Sequence, residues 1–443
     1  MLSTNDVESS QNNLLKLIAG IVVGLGLLVP LSTARRNIDL QGMLLLLGGF
    51  YAIAYVAMRR DCRLRKIDQA LLVGLIASSL LSVFFAHDTS TALLGGLRYR
   101  VGMLSLVSAA AIGLALSSKT KFQKIQLLYI TSVALALVAI PYNFYFLGSG
   151  VRLFGTLYQP DILAAILGCG FLFGLHLLHR EPSTKYLWVA QTILLIDLVM
   201  TESRAVLVLV FLLSLVYMLK DLRNWRLLGI FGVVLVGFVA IGPIRVTSTS
   251  YFGQSISYRS HLAAFVVQKI ADRPLGYGAG NLLKAIDCRD ITSPDLVKTC
   301  RQGLGFDSSH NWFIDRFLEY GWVGGICFLL LTVRAMFSGR KLNAELQILK
   351  LAFLLLVFYS MTNVSGIEIE VFFWIILASL ITDNSAINQV GVGRATHKLK
   401  YSHGKKTTVG SKLSPPEKGS PMEKFNRAVQ KVLSVPKNDL KKK

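Results

Sequence analysis

The sequence predicts an all-α polytopic membrane protein with about twelve transmembrane helices and one long external helical loop. Three observations predict it. Hydrophobic residues make up 53% of the 443 positions, and the mean hydropathy is +0.53. Charged residues make up 16%, against roughly 25% in a soluble protein. The apolar residues are gathered into runs of about 18 or more, the length that crosses a hydrocarbon core as a helix. The net charge of +22 resembles a nucleic-acid signal until it is located. Much of it lies in the C-terminal tail and most of the rest in short loops between apolar runs. That distribution fits membrane orientation, so membrane lipids and not nucleic acid are the expected partners.

In chain order the apolar segments are 13–31, 39–57, 69–86, 101–117, 125–146, 159–178, 186–201, 204–219, 227–243, 321–338, 347–363 and 370–383. The first lacks a small-residue cleavage site and is long enough to span, so it is read as a helix and not as a cleavable signal peptide. The second and third are joined by MRRDCRLRKIDQ, the fourth and fifth by SKTKFQK, and the sixth and seventh by HREPSTK. KDLRNWR joins the eighth and ninth, and SGRKLNAEL the tenth and eleventh. Each of these alternate loops is rich in Lys and Arg. The positive-inside rule places them, with both termini, in the cytoplasm.

The other connections then face outside, and most are short. The exception is 244–320. A loop beyond ~15 residues is usually functional or disordered, and the aromatic residues and glycine punctuation of this one point to a folded segment. Residues 1–383 therefore form the membrane domain, with 244–320 as its external loop. The segment 384–443 is basic and poor in aromatics and reads as a mostly disordered cytoplasmic tail. Within it, PMEKFNRAVQKVLSV is either a short amphipathic helix on anionic lipid or part of a solvated tail held near the membrane by charge. Of the five cysteines, Cys62 falls in a basic loop and Cys169 and Cys327 in apolar runs. Cys288 and Cys300 flank CRDITSPDLVKTC in the long loop. In an oxidising compartment this pair can form a disulfide, but spacing does not decide whether it does.

The few cations in the outside connections are informative. Arg98 and Arg100 lie in GGLRYRVG, Arg152 in GSGVRLFGTLYQP, and Arg204 in TESRAVLV at the start of the eighth segment. Each has two readings. A guanidinium at a span end can snorkel to headgroup phosphate, or it can mark function. Together the four can form a cationic basin, and the planar fork of arginine suits bidentate contact with a pyrophosphate.

In the long loop, SISYRSHLAAFVVQKIADRP reads as an amphipathic helix. Tyr258, Leu262, Phe265, Val266 and Ile270 recur at helical spacing, and Pro274 ends it. Arg259 is expected near its start, where a helix N-terminus also favours anions. The following LGYGAGN, with Gly276, Gly278 and Gly280, is either a flexible turn or a set of backbone N–H groups aimed at an anion. No strand precedes it, so it is not a dinucleotide fingerprint.

Asp307 to Gly321 reads DSSHNWFIDRFLEYG. Asp307, Ser308 or Ser309 is expected to cap a helix running through Trp312, Phe313, Phe317 and Tyr320. His310 would then sit in the first turn, where the helix N-terminus disfavours imidazolium. A neutral imidazole there can take a proton from a hydroxyl, or it can be a surface or structural histidine. Asn311, Asp315 and Glu319 are weaker candidates. Asp315 and Glu319 at i,i+4 with Arg316 between them read as an ordinary solvated face.

Five stretches carry a resemblance: GLRYRVGML, RLFGTLYQPDILA, TESRAVLVLV, SYRSHLAAFVVQKIADRPLGYGAGN and DSSHNWFIDRFLEYGWVGG. With the span pattern over 13–383, the chain resembles the O-antigen ligase/polymerase family of bacterial envelope polysaccharide glycosyltransferases, with a GT-C-like architecture. The family has Pro-Asn in the second stretch, where this chain has Pro160-Asp161. The resemblance implies transfer of a glycan from a polyprenyl-pyrophosphate carrier to an acceptor hydroxyl on lipid, glycan or protein. It implies a site at the outer face of the bacterial cytoplasmic membrane, with no metal and no cofactor. It implies that Arg204 and Arg259 hold the donor pyrophosphate, joined by Arg98, Arg100 and Arg152, and that His310 activates or orients the acceptor.

The bare chemistry is compatible with this. Pyrophosphate leaving an anomeric carbon develops negative charge, which preorganised arginines stabilise more in the transition state than in the ground state. The sequence holds no HExxH, no zinc-type Cys/His spacing and no external Asp-x-Asp pair. Attack opposite the leaving group inverts the anomeric centre. A repeat-unit polymerase of the same family is the alternative. A transporter or flippase of lipid-linked sugars is a more distant one, since the chain lacks the matched halves expected of transporter repeats.

Overall fold

The computed structural model describes residues 4–27, 34–58, 64–95, 102–146, 159–219, 229, 232, 249–282, 289, 291, 297, 308–338, 343–363 and 366–382. The tail 384–443 and the segment 233–248 lie outside these, and so do Arg98, Arg100, Arg152, Cys288, Cys300 and Asp307. The described residues are helical, with no strand among them. In chain order the helices are α1 (Thr4–Leu27), α2 (Ala34–Met58), α3 (Lys66–Phe84), α4 (Thr89–Leu94), α5 (Met103–Leu116), α6 (Lys121–Phe146) and α7 (Pro160–Arg180). They continue as α8 (Lys185–Met200), α9 (Arg204–Met218), α10 (Thr249–Asp272), α11 (Trp312–Phe337), α12 (Ala344–Ser360) and α13 (Ile367–Ile381).

Helices occupy eleven of the twelve apolar segments read from the sequence, and the ninth, 227–243, lies almost wholly outside the described residues. Among the described residues, four helices are long and apolar enough to cross a membrane: Lys66–Phe84, Lys121–Pro141, Pro160–Arg180 and Trp312–Phe337. Shorter apolar helices run over Asn13–Gly24, Gly42–Met58, Met103–Leu116 and Arg204–Met218.

Local chemistry sets the helix starts. Pro160 opens α7 at a position where its missing N–H costs nothing. Asn343 caps α12 by accepting from Leu346 N at 2.8 Å, and Asp88 caps α4 through Thr91 N at 3.1 Å. Packing then follows composition. Every residue of α7 from Ile162 to Leu178 is buried, and every residue of α13 except Glu368. A helix apolar all round belongs in the centre of a bundle, and α7 touches α6, α8, α9, α12 and α13. Small residues let the backbones close in: a Cβ on Gly113 of α5 would overlap the backbone of Trp374 on α13. The outside of the bundle stays apolar at Phe50, Val73, Phe84 and Val323, as a lipid-facing surface should.

Ties between distant loops show which connections share an end. Tyr55 Oη donates to Ser118 Oγ at 3.0 Å, Arg180 pairs with Glu345 at 3.2 Å and lies over the Phe122 ring at 4.4 Å, and Arg334 pairs with Asp68. The described parts of the Lys/Arg-rich loops thus gather at one end. At the opposite end, Arg259 Nη1 donates to Thr362 O at 3.0 Å, Arg273 Nη1 to Phe85 O at 3.2 Å, and Asn281 Nδ2 to Asp88 O at 3.2 Å.

Candidate active site

The described part of the long loop is folded around its own small core. α10 buries Leu262, Phe265, Val266 and Ile270 against Tyr277, Leu282, Ile291 and Leu318. It starts at Thr249, six residues before the stretch that its amphipathic pattern marked out. Arg259 therefore sits nearly three turns inside the helix and not near its N-terminus, and the anion preference of a helix start does not apply to it. Its guanidinium is half-exposed and reaches the turn between α12 and α13 at Thr362 O.

Arg204 opens α9, as expected, and is exposed. The turn before it carries Glu202 at φ 55, a left-handed backbone that reverses the chain between α8 and α9. α9 packs on α12, whose far turn receives Arg259, and α10 packs on α11. Arg204, Arg259 and His310 thus all sit at the end of the bundle away from the Lys/Arg-rich loops. Asp161 lies in the first turn of α7, where a carboxylate suits the helix dipole.

His310 is placed differently from the sequence expectation. The cap of α11 is Asn311, whose Oδ1 accepts from Phe313 N at 3.1 Å and Ile314 N at 3.2 Å. His310 therefore stands just before the helix, not in its first turn, with φ 57. Asp, Ser and Asn are all good caps, so the run Asp-Ser-Ser-His-Asn offers four caps that sequence cannot rank. The histidine is half-buried, and its backbone N–H donates to Ser308 Oγ at 3.0 Å.

The acidic residues behind it are not a solvated face. Asp315 is 8% exposed and Arg316 1%. Arg316 pairs with Glu319 at 2.8 Å and with the fully buried Glu370 of α13, and donates to Tyr320 Oη at 2.7 Å. Its Cζ lies 5.2 Å from the Trp312 ring centre, and Trp374 Nε1 donates to the other oxygen of Glu370 at 3.2 Å. Sequence reasoning missed this knot because its partner is 54 residues away. One signal was present, a glutamate inside the apolar run IEIEVFFWIILASLI. A carboxylate in a bundle centre requires a cation.

Backbone N–H groups of the glycine run are taken up inside the protein, one of them by a carboxylate. Tyr277 N donates to Leu318 O at 2.9 Å, Gly278 N to Glu319 O at 3.0 Å, and Gly280 N to Glu319 Oε1 at 3.0 Å. The run latches the loop to the end of the helical segment 312–320 that follows His310. There Gly321 breaks α11 at φ 71, ψ −175, and Trp322 N donates to Pro274 O at 3.0 Å. This breakpoint explains how 312–320 and 322–337 run on as two pieces of one helix.

Residues 189–329 match a family model described as O-Antigen ligase. The matched stretch contains Arg204, Arg259 and His310, and it excludes Arg98, Arg100 and Arg152. No curated protein and no solved structure matches the chain. With its apolar helical bundle, the chain is a multi-pass membrane protein that is similar over residues 189–329 to the O-antigen ligase family.

Proposed function

We infer that this protein is an integral membrane glycosyltransferase of the O-antigen ligase type. It moves a glycan from a polyprenyl-pyrophosphate carrier to an acceptor hydroxyl at the outer face of the bacterial cytoplasmic membrane. The observation that carries this reading is the family match over 189–329, which includes Arg204, Arg259 and His310 at the bundle end opposite the basic loops. If those loops lie in the cytoplasm by the positive-inside rule, the His310 end faces outward. With the twelve apolar segments of the sequence taken as spans, the same rule puts both termini inside.

The acceptor oxygen attacks the anomeric carbon from the face opposite the pyrophosphate. The carbon–oxygen bond to pyrophosphate breaks, polyprenyl pyrophosphate leaves with the electron pair, and the acceptor proton passes to His310. Arg204 and Arg259 hold the pyrophosphate and stabilise the charge that grows on it. A general base contributes typically ~10²–10⁴-fold. The configuration at the transferred sugar inverts, and no metal takes part. A repeat-unit polymerase uses the same donor chemistry and differs only in the acceptor, a second lipid-linked unit.

The test is glycan transfer in membranes containing a chelator, with wild type and His310→Ala at matched expression. Transfer by wild type alone supports the reading. Equal transfer by both removes His310 from the chemistry, and a product with retained configuration overturns the single displacement. Supplying lipid-core acceptor and lipid-linked repeat unit separately distinguishes ligase from polymerase.

A further inference from the structure

The side chain that sets His310 in place is not adjacent to it in sequence. Asp315 is buried one turn into α11, and both of its oxygens point back at the residues before the helix. Oδ2 accepts from Ser308 Oγ at 2.5 Å, and Oδ1 accepts from Ser309 N at 2.8 Å. Ser308 Oγ in turn accepts from His310 N at 3.0 Å. Ser309 Oγ donates to Asn311 O at 3.0 Å and accepts from Asn311 N at 3.2 Å, which closes the turn around the histidine. This turn holds His310 at φ 57, a left-handed backbone that a non-glycine residue keeps only where its surroundings enforce it. Behind the turn, Asn311 and the Arg316 knot fix the helix from which Asp315 projects.

We propose that Asp315 is a positioning residue for His310, acting through Ser308. Its carboxylate orients the Ser308 hydroxyl so that the lone pairs of that oxygen face the His310 amide, and this fixes the left-handed turn and the direction of the imidazole. Asp315 takes no proton and touches no substrate. The proposal rests on the reading that His310 serves the acceptor hydroxyl. An ångström of misplacement at such a group can cost ~10²-fold in rate.

The experiment uses the full-length protein in membranes with a titrated polyprenyl-pyrophosphate glycan extract, comparing wild type, Asp315→Asn, Ser308→Ala and His310→Ala. A second readout is carbethoxylation of His310 by diethylpyrocarbonate, followed by mass spectrometry with His261 as internal reference. Asp315→Asn keeps the acceptor for Ser309 N and removes the one for the Ser308 hydroxyl. Both it and Ser308→Ala should lower kcat at least ~10-fold with KM for the donor within about twofold, because the arginines that hold the donor are untouched. The reactivity of His310 should change while that of His261 stays. Wild-type kcat and wild-type His310 reactivity in both variants overturn the proposal. A parallel loss of kcat, KM and yield of inserted protein, with both histidines altered, also overturns it, by reducing Asp315 to a fold residue. If His310→Ala transfers glycan like wild type, the functional reading fails, while the modification readout still reports whether Asp315 sets the histidine.

Discussion

Arg316 concentrates the electrostatics of this protein at one side chain. It is buried between two glutamates and three aromatic rings, and its pair with Glu370 joins the helical segment that follows His310 to the central helix α13. Removing one partner of such a pair leaves a charge without compensation in a medium that cannot solvate it. Arg316→Met should therefore destabilise the protein by about 3–5 kcal/mol, read as a lower aggregation temperature in detergent. Replacing Arg316 and Glu370 together by apolar residues should recover much of that loss. Arg204 is the contrasting case, an exposed guanidinium with no hydrogen bond to any described residue. Arg204→Lys should leave the fold unchanged and lower transfer by at least ~10-fold, since an ammonium cannot make the bidentate contact. Wild-type turnover in that variant would refute the pyrophosphate clamp.

Two elements behave differently from what their local sequence suggested. The glycine run 276–280 and the α11 break at Gly321 form one latch, each closing against the backbone of the other. The torsions of Gly321, φ 71 and ψ −175, fall where essentially only glycine is found, and a Cβ there would overlap the Pro274 carbonyl oxygen. Gly321→Ala should cost upwards of about 1–3 kcal/mol and lower the yield of monodisperse protein on size exclusion. A fully stable Gly321→Ala would mean the break is not held by this latch. Asn311 is the second case. Its cap should be worth about 1 kcal/mol, so Asn311→Ala should lower thermal stability modestly while disturbing the turn beside it.

Across the bundle, the ties at the basic end differ in kind: Arg334 reaches a buried Asp68, whereas Arg180–Glu345 is a surface ion pair and contributes little. The Arg180–Glu345 pair is partly solvated, and Glu345→Gln should shift stability by roughly 0–1 kcal/mol. The bundle is held by its apolar centre, in which α7 and α13 bury almost every side chain. The described residues of that centre and of the candidate site all precede 384, and the tail 384–443 lies outside the described residues. Deleting it should leave glycan transfer close to wild type in membranes, and loss of transfer by a well-inserted truncation would overturn that expectation.

Helix positions were legible in the sequence because hydropathy and helical periodicity are local. Eleven of the twelve apolar segments coincide with helices, and the start of α9 at Arg204 was readable to the residue. The amphipathic stripe of α10 was readable for the same reason, at Leu262, Phe265, Val266 and Ile270. What local pattern could not settle was any choice among equivalent residues, or any contact made across a long span of chain. Four neighbouring caps compete before α11, and the winner, Asn311, moved His310 out of the helix. Asp315, Arg316 and Glu319 look like a solvated face until α13 brings Glu370 against them. Period and composition belong to each helix separately, whereas burial of a charge belongs to the neighbour that packing supplies.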